Sequence, residues 1–336
     1  MNPALVEEVH RRAYVADGHA DSLMWDRDLN VQSDKGHVDF PRLYESGTRL
    51  QCFTLVTRGI PILDGFGLFT WWNNWPKEAR KDEWSRALWQ IDKLERFCAT
   101  SAGRAAIAGA RLDLESNLQQ DRLSALIGVE GAHVVGNDPG RVRQLFDRGV
   151  RFMSLTHLDN SEIGGSSFPL RGNRGLTTLG KEVLSEMAKC GMAVDLAHAS
   201  ARCLENIFGG PDVPIFCSHT GIAAVTPSWR NMSDEVLREV KRRNGVVGVI
   251  FATSFIGGSR LSNLLDHLVH AVEVMGPEHV GLGSDYDGMI RLPREMRDVR
   301  DVKAITGGLL KRGLPPESVE LVLGGSYKRF FERVLP

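Results

Sequence analysis

The chain has 336 residues, with 41 Lys plus Arg set against 42 Asp plus Glu for a formal net charge of -1. That balance excludes the basic field of a nucleic-acid binder or a polybasic membrane-surface protein, and 42% hydrophobic with 25% charged residues excludes a disordered chain. At roughly 150 residues per domain, the length admits two domains or one α/β barrel with insertions.

Short runs rich in Val, Ile and Leu alternate with longer amphipathic stretches, the pattern of βα units. The first expected strand, 14–20, runs into Asp17-Gly18-His19-Ala20-Asp21-Ser22, and the second spans 49–57. A helical segment over 76–110 leads to a strand at 123–131 that ends Val129-Glu130-Gly131. A helix at 139–148 precedes the strand 151–157, which closes on Thr156-His157. A helix at 178–189, with Thr178 at its start, precedes the strand 192–198, ending Asp195-Leu196-Ala197-His198. The strand 214–219 ends Ser218-His219, and Ser233 caps a helix over 233–243 with acids in its first turn. A strand at 245–251, a helix at 261–275 and a strand at 279–285 complete the series, the last running into Asp285-Tyr286-Asp287-Gly288. Eight strands with intervening helices, no charge-run linker and no Gly-x-Gly-x-x-Gly after the first strand predict one (β/α)₈ TIM barrel over residues 1–336, with extra helices at both ends.

In such a barrel the chemistry sits at the C-terminal ends of the strands. Four of the ten histidines, His19, His157, His198 and His219, fall at four such ends, joined by Glu130 and Asp285 from two others. A lone strand-end histidine is usually a hydrogen-bonded structural residue, but independent structural roles would scatter, as His10, His267, His270 and His279 do. His37 and His133 lie in loops and stay unassigned, while Asp17 and Asp195 read as loop caps or supports behind the ligands. Residues i and i+2 of an extended chain share a face, so His19 and Asp21 converge on one cation. One catalytic zinc takes three protein ligands, and this set exceeds that need. Two ions fit better, bridged by Glu130 with a hydroxide between them, and imidazole with carboxylate suits Zn²⁺. No lysine falls at a predicted strand end to serve as the bridge instead.

The blocks DGHADSL at 17–23, VDFPRLYESG at 38–47, IGVEGAH at 127–133, SLTHLDN at 154–160, GLTTLGKEVLSEMAKCGMAVDLAHAS at 175–200, IFCSHTGIAAV at 215–225, RNMSDE at 230–235 and HVGLGSDYDG at 279–288 together resemble the renal (membrane) dipeptidase family, zinc peptidases of the amidohydrolase superfamily. The resemblance implies an amidohydrolase-like barrel with two zinc ions, His19 and Asp21 on one, His198 and His219 on the other, Glu130 bridging. It implies His157 at the scissile group, Arg230 on the substrate's free carboxylate and Asp285 as the proton shuttle, with Asp287 the second choice. A guanidinium suits that carboxylate role, although Arg230 alone reads as a surface or helix-entry salt bridge. The implied reaction is dipeptide hydrolysis without a covalent intermediate, extending to dipeptides with a D-residue at the C-terminal position, by a homodimer.

Two alternatives stay open: a dizinc amidohydrolase of another small amide, such as an N-acyl amino acid or lactam, and a metal-binding homologue without catalysis. The stretch after His157 departs from the family pattern, leaving pocket detail open. The loop at 59–76, with Trp71, Trp72 and Trp75, reads equally as a lid over the pocket or as a packed loop or subunit interface. Five widely spaced cysteines without a Cys-x-x-Cys pair exclude a disulfide framework. With no basic-then-apolar start, no span of about 20 apolar residues and no apolar tail, a cytoplasmic protein is expected.

Overall fold

The computed structural model describes residues 2–59 and 65–336. Its strands are β1 (Val15–Ala20), β2 (Thr48–Val56), β3 (Ala105–Ile107), β4 (Leu123–Glu130), β5 (Val150–Ser154), β6 (Ala193–Asp195), β7 (Ile215–Thr220), β8 (Val247–Val249) and β9 (Val280–Leu282). All pair in parallel, and eight of them close a ring in the order β1, β2, β4, β5, β6, β7, β8, β9 and back to β1. Parallel barrel strands are covered on both faces, which is why they read as near-continuous apolar runs. The barrel expected from the sequence is the one observed.

The remaining strand, β3, lies outside the ring. It pairs Ala105–Ile107 with Leu123–Ala125, and β5 takes over the partnership with β4 from Ile127 onward. The helix expected over 76–110 is therefore shorter, Glu83–Ala99. Asp82 caps its start by accepting from the Ser85 N–H. Beyond its end Ala102 and Gly103 take positive φ values of 54° and 79°, which no helix accommodates. Thr177, not Thr178, caps the helix Thr178–Cys190 by accepting from the Gly180 N–H, whereas Ser233 caps Asp234–Arg242 as expected.

Helices flank the barrel at both ends of the chain. Pro3–Arg12 packs against Lys303–Lys311 and Pro316–Glu320. The helix Ser326–Val334 closes the face opposite the strand C-termini by inserting Tyr327, which is wholly buried. Three glycines make room for that ring. A Cβ on Gly18 or Gly248 would stand 2.2 or 2.3 Å from Tyr327 Oη, and one on Gly281 would stand 2.5 Å from its Cε2. No described helix is long and apolar enough to cross a membrane.

Candidate metal centre and active site

The C-terminal ends of the strands gather the expected residues into one mouth. His19 lies on β1 and Asp21 immediately follows it, Glu130 is the last residue of β4, and His219 lies on β7. β5, β6 and β9 stop three residues short of His157, His198 and Asp285, so these three sit on the loops that follow rather than on the strands. His198 and Asp285 each take a φ of 64°, a left-handed conformation uncommon for non-glycine residues. All of these side chains are buried except that of His157, which is partly exposed.

Glu130 is the hub. Its Oε1 lies 3.1 Å from His198 Nε2, 3.5 Å from His219 Nε2 and 3.6 Å from His19 Nε2, while Oε2 lies 3.4 Å from His157 Nε2. Asp21 Oδ1 stands 3.3 Å from His19 Nε2. Three overlapping groups have ligand atoms within 4.8 Å of one another: His19, Glu130 and His219; Glu130, His157 and His198; His19, Asp21 and Asp285. The grouping joins His157 to the cluster, where the sequence had placed it only beside the substrate.

Supporting side chains aim these ligands. Ser218 Oγ lies 2.8 Å from His219 Nδ1 and 3.2 Å from His19 Nδ1, so one hydroxyl turns both Nε2 atoms toward the centre. The Thr54 hydroxyl donates to Asp21 Oδ1 at 2.5 Å. His157 Nδ1 lies 3.1 Å from the Arg58 carbonyl, which can only accept, so the proton sits on Nδ1 and Nε2 faces the cavity. Asp17 accepts from Gln51 and from both the backbone and the hydroxyl of Ser284, fixing the residue before Asp285. Asp195 accepts from the Ala197 and Ser218 N–H groups. Thr54 and Ser218 escaped the sequence reading, although Ser218 directly precedes a ligand.

The electrostatics of this cluster suit a bound cation. Burial raises the Glu130 carboxyl against the lowering pull of His157. Burial also holds Asp285 well above the usual carboxylate range, with His19 opposing and Asp21 and Glu130 reinforcing. His198 and His219 are driven well below the ordinary imidazole value by burial, and then by nearby positive groups. Burial alone would lower His19 too, yet Glu130 and Asp21 outweigh it and push it up to about 10. Buried acids, the neutral imidazoles of His198 and His219, and a His19 nitrogen on which the carboxylates favour positive charge form a mixed N/O donor set of the kind that holds borderline divalent ions. The residues fit such ions.

The mouth opens into a cavity of about 650 Å³. Met24, Val56, Phe66 and Phe69 form an apolar wall on one side, and Trp229, Phe255 and Ile290 line another. Arg230 also lines the cavity, is 4% exposed, and donates from Nη2 to the His219 carbonyl at 2.6 Å. It is not the surface arginine its sequence context suggested. Asp287 faces elsewhere, accepting from Ser22 Oγ, Arg27 Nη2 and the His37 N–H at 2.5, 2.5 and 2.6 Å. Its carboxylate thus ties the loop after β9 to the loop after β1.

The loop at 59–76 divides. Residues 60–64 lie outside the described residues. Of the rest, Phe66 and Phe69 on the helix Gly65–Trp72 line the cavity, and Trp75 is buried against Trp89 with ring centroids 4.3 Å apart. Trp71 and Trp72 are 60% and 78% exposed. Five of the six histidines left without a role find structural partners. The His37 Nδ1 accepts from the Asp287 N–H, His10 bridges Thr306 and Ser46, and His267 accepts from the Ile222 N–H. His270 pairs with Asp234, and His279 meets the Gly245 carbonyl. His133 is buried beside Gly131 with its Nδ1 unpartnered among the described residues.

The profile of the membrane dipeptidase family, peptidase family M19, matches residues 4–335. Among curated relatives, the chain is similar to dipeptidase aclJ of Aspergillus oryzae, 29% identical over 348 residues that cover 98% of this chain and 80% of that protein. It is also similar to dipeptidase verJ of Clonostachys rogersoniana, 31% identical over 267 residues that cover 78% of this chain and 68% of that protein. Among solved structures, a metallo peptidase from Rhodobacter sphaeroides liganded with a phosphinate mimic of the dipeptide L-Ala-D-Ala has the same fold. It superposes with a TM-score of 0.81 at 23% identity, covering 96% of this chain and 99% of that one.

Proposed function

The chain belongs to the membrane dipeptidase family, hydrolases acting on peptide bonds, and from that premise we propose that it is a dizinc dipeptidase whose whole length, 1–336, works as one catalytic domain. The observation that carries this reading is the Glu130 carboxylate, with four imidazole nitrogens between 3.1 and 3.6 Å from its two oxygens. In this reading His19 and Asp21 hold one zinc, His198 and His219 the other, and Glu130 is shared. When bound, the ions supply an ionised water nucleophile near neutral pH and polarise the scissile carbonyl.

The chain's own residues do the rest. Arg230, fixed by its bond to the His219 carbonyl, grips the C-terminal carboxylate of the substrate in a bidentate pair. That grip places the scissile bond one residue from the free C-terminus, as cleavage of a dipeptide requires. Asp285, which lines the cavity beside His19 and Asp21, takes a proton from the attacking water and returns it to the leaving amine. His157, its Nδ1 held by the Arg58 carbonyl, turns Nε2 toward the cavity, where it stabilises the developing oxyanion. Asp287, engaged by Arg27, Ser22 and His37, is not free to shuttle protons.

The reading extends to a D-residue at the C-terminal position, supported by the L-Ala-D-Ala mimic in the Rhodobacter relative, and to a homodimer, which light scattering tests. Metal analysis with hydrolysis of L,L- and L,D-dipeptides, with and without chelator, tests the whole. Two bound zinc ions and chelator-sensitive cleavage are expected. Two metals without cleavage of any dipeptide would overturn the assignment. Cleavage of N-acyl amino acids alone would transfer the same centre to another amide.

A further inference from the structure

The two sides of the cavity differ in a way that bears on substrate choice. Around the ring, β2 and β7 lie diametrically opposite, separated by β1, β9 and β8 on one side and by β4, β5 and β6 on the other. The apolar wall of Val56, Phe66 and Phe69 follows β2, whereas Arg230 follows β7. A dipeptide anchored by its carboxylate at Arg230 and cut at the central cluster therefore points its N-terminal side chain toward the apolar wall. Its C-terminal side chain falls instead between Arg230 and the cluster, along the loops after β7, β8 and β9.

Two backbone-directed bonds join those loops into one surface. Asn231, beside Arg230, donates from Nδ2 to the Phe255 carbonyl at 2.8 Å, and the Thr253 N–H donates to the Arg291 carbonyl at 3.0 Å. Trp229 and Phe255 pack edge to face, with centroids 5.5 Å apart. Arg291 also lines the cavity, and its exposed side chain makes neither an ion pair nor a hydrogen bond among the described residues. Among the described residues, the carboxylates lining the cavity, Asp21, Glu130 and Asp285, all belong to the central cluster. Away from that cluster, the charged side chains that line the cavity among the described residues are Arg230 and Arg291, both cationic.

We propose that Arg291 is a specificity residue that selects dipeptides with an acidic C-terminal residue, aspartate or glutamate, behind an apolar N-terminal one. The proposal rests on the dipeptidase reading and deepens it. Arg230 takes the α-carboxylate common to every dipeptide, and Arg291 takes the second carboxylate that only an acidic side chain supplies. Because Arg291 is solvent-exposed, the preference is moderate and weakens with salt.

The test compares kcat/KM for Leu-Glu, its near-isostere Leu-Gln, and Leu-Leu on the zinc-loaded protein. Leu-Glu is expected to exceed Leu-Gln by about tenfold at low ionic strength. Arg291→Gln should bring that ratio to about one, and Arg291→Glu should turn the preference toward Leu-Lys. Equal rates for Leu-Glu and Leu-Gln in the unsubstituted protein, or a preference that survives both substitutions, would overturn the role of Arg291 while leaving the dipeptidase reading intact. Failure to cleave any of the three, or any of their counterparts with a D-residue at the C-terminal position, would overturn the dipeptidase reading itself.

Discussion

The Nε2 atoms of His198 and His219 face each other at 3.2 Å across the buried mouth of the barrel. One proton can bridge two such nitrogens, but with Glu130 Oε1 within 3.5 Å of both, the pair is better matched to a cation. His219→Ala is therefore expected to lose about one metal equivalent per chain and more than about 100-fold in activity. Ser218→Ala, which only loosens the imidazoles, should weaken metal affinity by about 10–100-fold. Metal titration with elemental analysis checks both, and chelation should lower Tm because the ions bind the folded state alone.

Arg230→Ala should raise KM strongly and lower kcat/KM for dipeptides by about 100-fold or more, the cost of removing a buried partner of a charged ligand. Metal content should stay unchanged, since the guanidinium touches the His219 carbonyl and not its ring. Dipeptide C-terminal amides, which lack the carboxylate, should be poor substrates of both forms and barely distinguish them. Loss of metal in the variant would show that Arg230 holds up the centre and does not grip the substrate.

Asp285 and Asp287 stand two residues apart and should fail in different ways. Asp285→Asn is expected to cut kcat by about 10²–10⁴-fold with much less change in KM. Asp287→Asn strips the buried partner from Arg27, whose side chain is 11% exposed, and should cost about 3 kcal/mol of stability. Steady-state kinetics alongside chemical denaturation separate the two, and an Asp287 variant of full stability but negligible kcat would reverse the assignment.

His267 gives the protein an acid-sensitive joint away from the cluster around Glu130. Burial first, and then the neighbouring His270 charge, push it down to about 4 despite Asp266. Its neutral Nδ1 accepts from the Ile222 N–H at 2.8 Å. With an ordinary value near 6.5, the unfolded chain takes up this proton before the folded one does. The stability it contributes is thus complete above about pH 6.5 and is lost as pH falls toward 4. His267→Asn, which keeps an acceptor but cannot titrate there, should shrink the fall in Tm between pH 7 and pH 5.

The barrel was legible because β4 is buried throughout and β2 at every position but Arg49, so that both read as short stretches dense in apolar residues between longer amphipathic ones. Strand β3 was not, because three residues after a long amphipathic helix give no periodicity, and only the positive φ values of Ala102 and Gly103 mark the break. The cluster around Glu130 was legible through spacing, since His19 and Asp21 stand two residues apart at the end of β1 and the other members fall where strands end or just beyond. What the sequence could not reveal was direction. Nothing local distinguishes the inward Asp285 from the outward Asp287, or a buried Arg230 from one at a helix entry. Those choices depend on Arg27, His37 and the His219 carbonyl, which only the closed ring brings near.

The Tyr327 ring, held in the hollow left by Gly18, Gly248 and Gly281, makes the completion of the barrel a late event in synthesis. A ribosome delivers β1 early, but the residue that seals it is translated more than three hundred positions later. Until then the nascent chain carries an open apolar floor, and the ring has little to hold it shut. Contacts so distant in sequence slow folding. They also expose a window in which chaperones, and not the finished fold, must keep the chain from aggregating.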